Sequence, residues 1–383
     1  ERTREGSGGR GTQATRKEKS EAAGRKGGRP GKESEAERKR AQQKGQQIHY
    51  LPTYRAEHQL KLFAWLGVMP GAEQPSVPFI LGVVNQRNYK SAEEIAEIEK
   101  ACVVTADMHL AAMRTVRPGI RESEVAAVVA EAAFKHNYEL SFPIIATVNG
   151  QTLHNHDHSN LIKPGDMLLL DAGAETEMGY AGDMSSTMPA DKKFTQRQRD
   201  VYDIQVAAHE AAVAALRPGI KFVDVYEKSC AVIMEGMKSL GFAKGDPMEA
   251  VKAGAHAMFM PCGLGHMMGL DVHDMENLGE VYVGYNGQPK STQFGRKSLR
   301  LGRELEPGFV LTIEPGIYFI PELIDLWRSE HKFTEFLNYD KLETYKDFSG
   351  IRNEEDYLIT EDGARLLGKK IPLHAEDVEK EHC

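Results

Sequence analysis

The sequence predicts an α+β domain made of two similar helix–helix–strand halves, related by a pseudo-twofold axis, with a catalytic cleft between them. Three observations predict it. Residues 111–125 (AAMRTVRPGIRESEV) and 211–225 (AAVAALRPGIKFVDV) are identical at seven of fifteen positions. Each copy reads as the end of one helix, an Arg-Pro-Gly-Ile turn and the start of a second, followed by an apolar stretch that reads as extended: LSFPIIATVNG over 140–150 and AHAMFMPCGLGH over 255–266. The offset of 100 residues is too long for a solenoid repeat, so a duplicated two-half domain is the reading that fits.

Composition narrows the class. The chain has 383 residues, 41% hydrophobic and 27% charged, which excludes collagen-like, disulfide-scaffold and wholly disordered chains. No run reaches the ~20 apolar residues of a membrane span, and no apolar leader core opens the chain. Cys102, Cys230, Cys262 and Cys383 lie far apart with no CxxC pair, so free thiols and a reducing, cytoplasmic setting are expected.

The first 46 residues carry 14 Lys/Arg and 7 Glu, a net of +7, leaving −15 for the remainder out of a total of −8. An acidic body is not expected to bind nucleic acid. No Val, Ile, Leu, Met, Phe, Trp, Tyr or Cys precedes Ile48. Such a segment buries too little apolar surface to offset its ordering entropy. Residues 1–47 therefore read as a disordered basic tail, and 48–90 as a linker or the remnant of a truncated N-terminal domain. The catalytic domain is expected over 91–383.

Within that domain Ser91 and Glu94 form a capping-box pattern, starting a helix whose apolar stripe includes Ile95, Ile98 and Cys102 and which stops before Pro118-Gly119. After Pro164-Gly165 the run MLLLD reads as a short buried strand ending at Asp171. A turn over Glu175–Gly179 would make a hairpin that brings Asp183, twelve residues on, back beside Asp171. Glycines flank His266 in GLGHMMGLDVHD and permit close backbone approach; His273 follows seven residues later. Glu314 interrupts the apolar run VLTIEPGIYFI, and Glu354 enters a strand in GIRNEEDYLIT beside Arg352. A carboxylate at the end of an apolar strand is costly to bury unless a cation meets it. Asp171, Asp183, Glu314 and Glu354 together would repel one another without cations, and with His266 they form a set that two divalent ions would neutralise. Oxygen ligands with one imidazole suit Mn²⁺, with Co²⁺ or Zn²⁺ as alternatives.

The motifs DAGAETEMGYAGD, GLGHMMGLDVHD, VLTIEPGIY and GIRNEEDYLIT occur in the order found in the pita-bread metallopeptidases. The chain resembles their proline-specific branch, aminopeptidase P (Xaa-Pro aminopeptidase) and prolidase (Xaa-Pro dipeptidase), from about residue 91 to the end and more weakly from 48. The resemblance implies the pita-bread fold and a dinuclear centre on Asp171, Asp183, His266, Glu314 and Glu354. In it Asp183 and Glu354 bridge the ions, Asp171 holds one, and His266 with Glu314 holds the other. It further implies hydrolysis of the peptide bond before proline in Xaa-Pro peptides or dipeptides. Glu314 would act as proton acceptor and relay, His154 and His273 would stabilise developing charge, and Arg352 would hold the bridging carboxylates. His156 and His158 alternate with His154, but a separate zinc site there is unneeded once the carboxylates explain the metal.

Three features depart from the family pattern. Cys262 stands where a histidine is expected, Asn353 replaces an apolar residue, and Met184-Ser185-Ser186-Thr187 replaces the commoner Ile-Thr-Arg-Thr type. The resemblance implies an N-terminal domain that helps pair subunits, which residues 1–90 do not resemble, so a possible homodimer is in doubt. Two rival readings share the fold. A methionine aminopeptidase would carry the same five ligands, but the 40-residue interval from Glu314 to Glu354, with its helical IDLWRSEHKFTEFLNYDKLETY, looks like prolidase. A non-catalytic binding protein would have lost ligands, and here all five are present.

Overall fold

In the computed structural model, which describes residues 37, 39–41 and 43–382, the chain divides into a unit ending at Phe79 and a unit beginning at Ile80. Most of the expected basic tail, and Cys383, lie outside the described residues; residues 37, 39–41 and 43 are helical. In the first unit Tyr50 holds the chain that returns past it. Its carbonyl accepts from the Ser76 amide at 3.1 Å and its hydroxyl from the Gln74 amide at 3.0 Å. Helix α1 (Ala56–Leu66) ends on Gly67, whose amide returns to the Phe63 carbonyl. The segment expected to be a linker is thus partly helical, and α2 (Val77–Asn88) runs across the boundary into the second unit.

The second unit carries the duplication. Helix α3 (Ala92–Thr115) starts with the capping box expected from Ser91 and Glu94, buries Ile98, Cys102 and Ala106, and stops before Pro118. It packs on α4 (Glu122–Phe134). In the second half α5 (Gln196–Val213) packs in the same way on α6 (Phe222–Ser239). The two Arg-Pro-Gly-Ile turns make equivalent bonds. Gly119 N–H donates to Ile162 O and Ile162 N–H returns to Ile120 O, both at 2.9 Å; Gly219 N–H donates to Leu305 O at 2.9 Å and Leu305 N–H returns to Ile220 O at 2.8 Å. Both turn glycines have positive φ, 93° and 83°, which explains why Gly recurs there.

The strands follow the same plan. A short pair, β1 (Glu139–Leu140) with β4 (Ala174–Glu175), flanks the first sheet. That sheet is β2 (Ile145–Thr147), β3 (Met167–Ala172) and β5 (Met184–Pro189), all antiparallel. After α7 (Pro247–Ala253) comes a departure from expectation: residues 255–258 are a 3₁₀ turn rather than extended chain. Only 264–268 runs straight, bonding to β6 (Val310–Ile313) through Thr312 N–H to His266 O, Glu314 N–H to Leu264 O and Met268 N–H to Val310 O. Gly254 at φ 98° closes α7 and turns the chain directly into the 3₁₀ segment, so the second strand begins later than its counterpart.

A one-turn helix, α8 (Glu280–Val283), follows in the loop region. The interval between Glu314 and Glu354 holds β7 (Gly316–Tyr318), α9 (Pro321–Ser329), α10 (Tyr339–Glu343) and β8 (Gly350–Arg352). Its expected helix is broken in two because His331 and Phe333 take left-handed φ. Strands β9 (Glu355–Ile359) and β10 (Ala364–Leu366) complete the second sheet, and α11 (Ala375–Glu381) ends the described chain. The halves meet where Ser185 bridges to Glu354. Ile98, Cys102, Met184, Met268, Val310 and Leu358 form a core shared by both sheets and α3. No described helix is long and apolar enough to cross a membrane.

Candidate metal centre

Asp171, Asp183, Glu314 and Glu354 lie at strand ends or strand breaks, and His266 in the middle of the 264–268 segment. Asp171 is the penultimate residue of β3 and faces Ser185 of β5. Asp183 precedes β5, its amide donating to Asp356 Oδ2 at 3.1 Å. Glu314 follows β6 and Glu354 precedes β9. His266 is anchored at its amide by Thr312 Oγ1 at 3.1 Å. The neighbouring Gly265 is required: a Cβ there would lie 2.0 Å from the Thr312 carbonyl oxygen.

Asp183, His266 and Glu354, all buried, bring ligand atoms within 4.8 Å of one another. His266 Nε2 stands 3.4 Å from Asp183 Oδ2 and 3.5 Å from Glu314 Oε1. Its Nδ1 faces the Met267 carbonyl at 3.1 Å; a carbonyl only accepts, so Nδ1 carries a proton and Nε2 is the nitrogen that would meet a cation once its own proton is released. Glu314 receives the Thr312 hydroxyl at 3.3 Å and keeps its side chain 22% exposed, the most open of the five. Asp171 lies outside the three-residue cluster. Its Oδ2 takes Arg352 Nη2 at 2.5 Å, while its Oδ1 is buried without a hydrogen-bond partner.

Arg352 organises the anionic side. Buried at 4% exposure, its guanidinium donates to Asp171, to Ser185 Oγ at 2.8 Å and to Tyr318 OH at 2.8 Å. The Ser185 hydroxyl in turn donates to Glu354 Oε2 at 2.7 Å. One arginine is not enough positive charge. Burial first, then Asp183, Glu314 and Asp171, pushes the Glu354 carboxyl well above the usual range. Burial likewise pushes Asp183 up to about 6, with the His266 hydrogen bond opposing it. For His266 burial works against the charged form, yet Asp183 and Glu314 outweigh it and raise the ring to about 9. Buried like charges, an orphaned carboxylate oxygen and an imidazole aimed with its Nε2 inward fit a divalent cation site.

His273 stacks edge-on to His266 with ring centroids 4.4 Å apart and faces Glu276 Oε2 through Nδ1 at 3.0 Å. Burial, then His266 and Arg300, lowers it to about 3. His154 and His156 are exposed and line the same cleft, whereas His158 bonds the Ile144 carbonyl at 3.0 Å. The cleft encloses about 1020 Å³ and is bordered by Phe142, Ile145, Cys262, Phe294, Tyr318 and Leu323 among others. Cys262 is a half-buried free thiol on this wall, pushed up to about 12 by burial, then Glu314. Several residues here were not assigned a role in the site from the sequence: Ser185, Thr312, Tyr318, Asp356 and Arg300. Strand alternation would have found three of them, since Ser185, Thr312 and Asp356 each lie two positions from a candidate ligand and share its face.

Known proteins place this chain in a family. The sequence profile of metallopeptidase family M24 matches residues 96–361. The chain belongs to metallopeptidase family M24. It is similar to Xaa-Pro aminopeptidase of Escherichia coli (strain K12), 34% identical over 302 residues covering 78% of this chain and 60% of that protein. It is also similar to Xaa-Pro dipeptidase of Homo sapiens, 31% identical over 305 residues with the same coverage. A substrate-bound variant of Escherichia coli aminopeptidase P superposes with a TM-score of 0.70 at 30% identity, covering 87% of this chain and 70% of that one. This M24 chain therefore has the pita-bread fold. It spans about 60% of the length of the curated relatives it matches.

Proposed function

We propose that this M24 chain hydrolyses the peptide bond between an N-terminal residue and proline, with two divalent ions, Mn²⁺ first among them, held by Asp171, Asp183, His266, Glu314 and Glu354. The convergence of Asp183, His266 and Glu354 at the floor of a cleft with apolar walls carries the reading. The names of its relatives, Xaa-Pro aminopeptidase and Xaa-Pro dipeptidase, supply the substrate class. Bound ions would supply Lewis acidity and a water made nucleophilic at neutral pH.

The chain's own groups then have defined tasks. Asp171, Asp183, His266, Glu314 and Glu354 would hold the ions, which would supply the positive charge these carboxylates lack. Glu314, the least buried carboxylate, can take a proton at Oε1 and deliver it to the leaving nitrogen. His273 Nδ1–H donates a hydrogen bond to Glu276 Oε2, so the ring meets the substrate through Nε2. Neutral, that nitrogen accepts; protonated, it donates to a developing oxyanion. His154, exposed in the cleft, can approach the same substrate. Arg352 holds Asp171 directly and Glu354 through Ser185, so charge and geometry at both carboxylates depend on it. Phe142, Ile145 and Leu323 offer apolar surface for a proline ring.

The test is hydrolysis of an Xaa-Pro dipeptide and an Xaa-Pro-Xaa tripeptide, each beside its Xaa-Ala counterpart, by the Mn²⁺-loaded chain. Cleavage only before proline is expected, and the ratio of dipeptide to tripeptide turnover separates dipeptidase from aminopeptidase. Equal cleavage of the alanine peptides would overturn the proline assignment.

A further inference from the structure

Strand pairing beside the metal centre has a gap, and one glutamine fills it. The β6–β9 ladder places Ile313 opposite Glu355, and the β7–β8 ladder places Gly316 opposite Arg352. The register is the same on both sides of the break, so Glu314 faces Glu354 and Pro315 faces Asn353. Pro315 has no N–H to give a ladder, and the Glu354 amide is turned to Ser185 O instead, at 2.9 Å. The two carbonyls left in the gap, those of Pro315 and Asn353, both accept from Nε2 of Gln205 on α5, at 2.6 and 3.4 Å. Gln205 Oε1 in turn accepts from Asn353 Nδ2, and Asn353 Oδ1 accepts from the Thr187 amide at 3.1 Å. Gln205 is fully buried and Asn353 is 2% exposed, so water does not compete for these bonds.

The geometry points to Gln205 and Asn353 as a positioning pair for the metal carboxylates. The bonded residues are the immediate chain neighbours of Glu314 and Glu354. A single side-chain amide thereby fixes the spacing of the two strand breaks that present those carboxylates, and ties both to α5. The pair touches neither substrate nor ion; it acts through the backbone that carries the ligands. Asn353 is one of the positions where the sequence departs from the family pattern, and the structure supplies its partner. The inference rests on the metal reading above, and its test separates the two.

Mn²⁺ affinity is measured by competition with a chelating dye, and thermal stability by calorimetry of the metal-free protein, on three chains: unaltered, Gln205→Met, and Gln205→Met with Asn353→Leu. Failure of the unaltered chain to bind Mn²⁺ overturns the metal reading itself. If it binds, Gln205→Met should weaken Mn²⁺ about 10–100-fold, the usual effect of removing an outer partner of a ligand. The double variant removes the unpaired amide left on Asn353 but also the acceptor of the Thr187 amide, so its stability should stay near that of Gln205→Met while Mn²⁺ binding stays at least about 10-fold weaker than in the unaltered chain. A purely structural pair would lose stability without losing Mn²⁺ affinity. Affinity within about twofold of the unaltered chain in Gln205→Met, recovery of affinity in the double variant, or failure of both variants to fold would each overturn the positioning role.

Discussion

Arg352→Met in the metal-free chain offers the sharpest view of how the centre is held. The guanidinium is 4% exposed and satisfies three buried partners: Asp171 at 2.5 Å, Ser185 at 2.8 Å and Tyr318 at 2.8 Å. Methionine fills much of the same space but donates nothing. Asp171 Oδ1 already lacks a partner, so the carboxylate becomes an unpaired buried charge. Breaking one side of a buried ion pair costs about 3–5 kcal/mol. A loss near the middle of that range, about 4 kcal/mol, is expected in urea unfolding, with a midpoint roughly 8 °C lower on heating for a unit of this size. Arg352→Lys should lose about half as much, because an ammonium can replace one of the three contacts but not the fork. Adding Asp171→Asn to Arg352→Met removes the stranded charge and should recover at least about 1 kcal/mol. A loss under about 1 kcal/mol in Arg352→Met, or losses that simply add in the double variant, would refute the view that this pair carries the buried charge.

Other consequences are equally direct. His109 on α3 is neutral and fully used in the core, with Nε2 facing Ala172 O at 3.1 Å and Nδ1 facing Ser186 Oγ at 2.7 Å. Burial lowers it from 6.5 to about 4. Its depressed value makes the unfolded chain the stronger proton binder, so roughly 3 kcal/mol of stability present above pH 6.5 should drain away as pH falls towards 4; unfolding titrations on the metal-free chain, with His109→Gln flattening the slope, check this. Mn²⁺ binding at pH 7.5 should release a proton, because Asp183 and Glu314 hold His266 charged to about 9 against the opposing effect of burial; calorimetry in buffers of different ionisation enthalpy reads that proton directly. His273→Ala and His154→Ala should each lower kcat by about 10²–10³-fold with metal content unchanged. Loss of metal in step with activity would contradict their assignment to transition-state charge.

The duplication was legible because it repeats in sequence, and the paired Arg-Pro-Gly-Ile turns make equivalent bonds to Ile162 and Leu305. The capping box at Ser91 was legible for a local reason, since both of its bonds lie within four residues. The 3₁₀ turn at 255–258 was not, because AHAMFMPCG is apolar without a period and only Gly254 marks the bend. The break in the interval after Glu314 depends on His331 and Phe333 in left-handed conformations, which neither residue advertises. At the site, carboxylates at the ends of apolar strands stood out on desolvation grounds alone. The residues that hold them did not. Ser185 and Thr312 are unremarkable until register sets them beside Glu354 and Glu314, and Gln205 lies over a hundred residues from the Pro315 carbonyl it meets.

The central claim, a metal-dependent peptidase centred on Asp183, His266 and Glu354, is tested most directly by elemental analysis and Xaa-Pro hydrolysis on the same preparations of the unaltered chain and Asp183→Ala after Mn²⁺ reconstitution. About two ions per chain and proline-specific cleavage are expected for the unaltered chain, with at least one ion and nearly all activity lost in Asp183→Ala. Full activity in metal-free protein, or undiminished metal and turnover in Asp183→Ala, would contradict it.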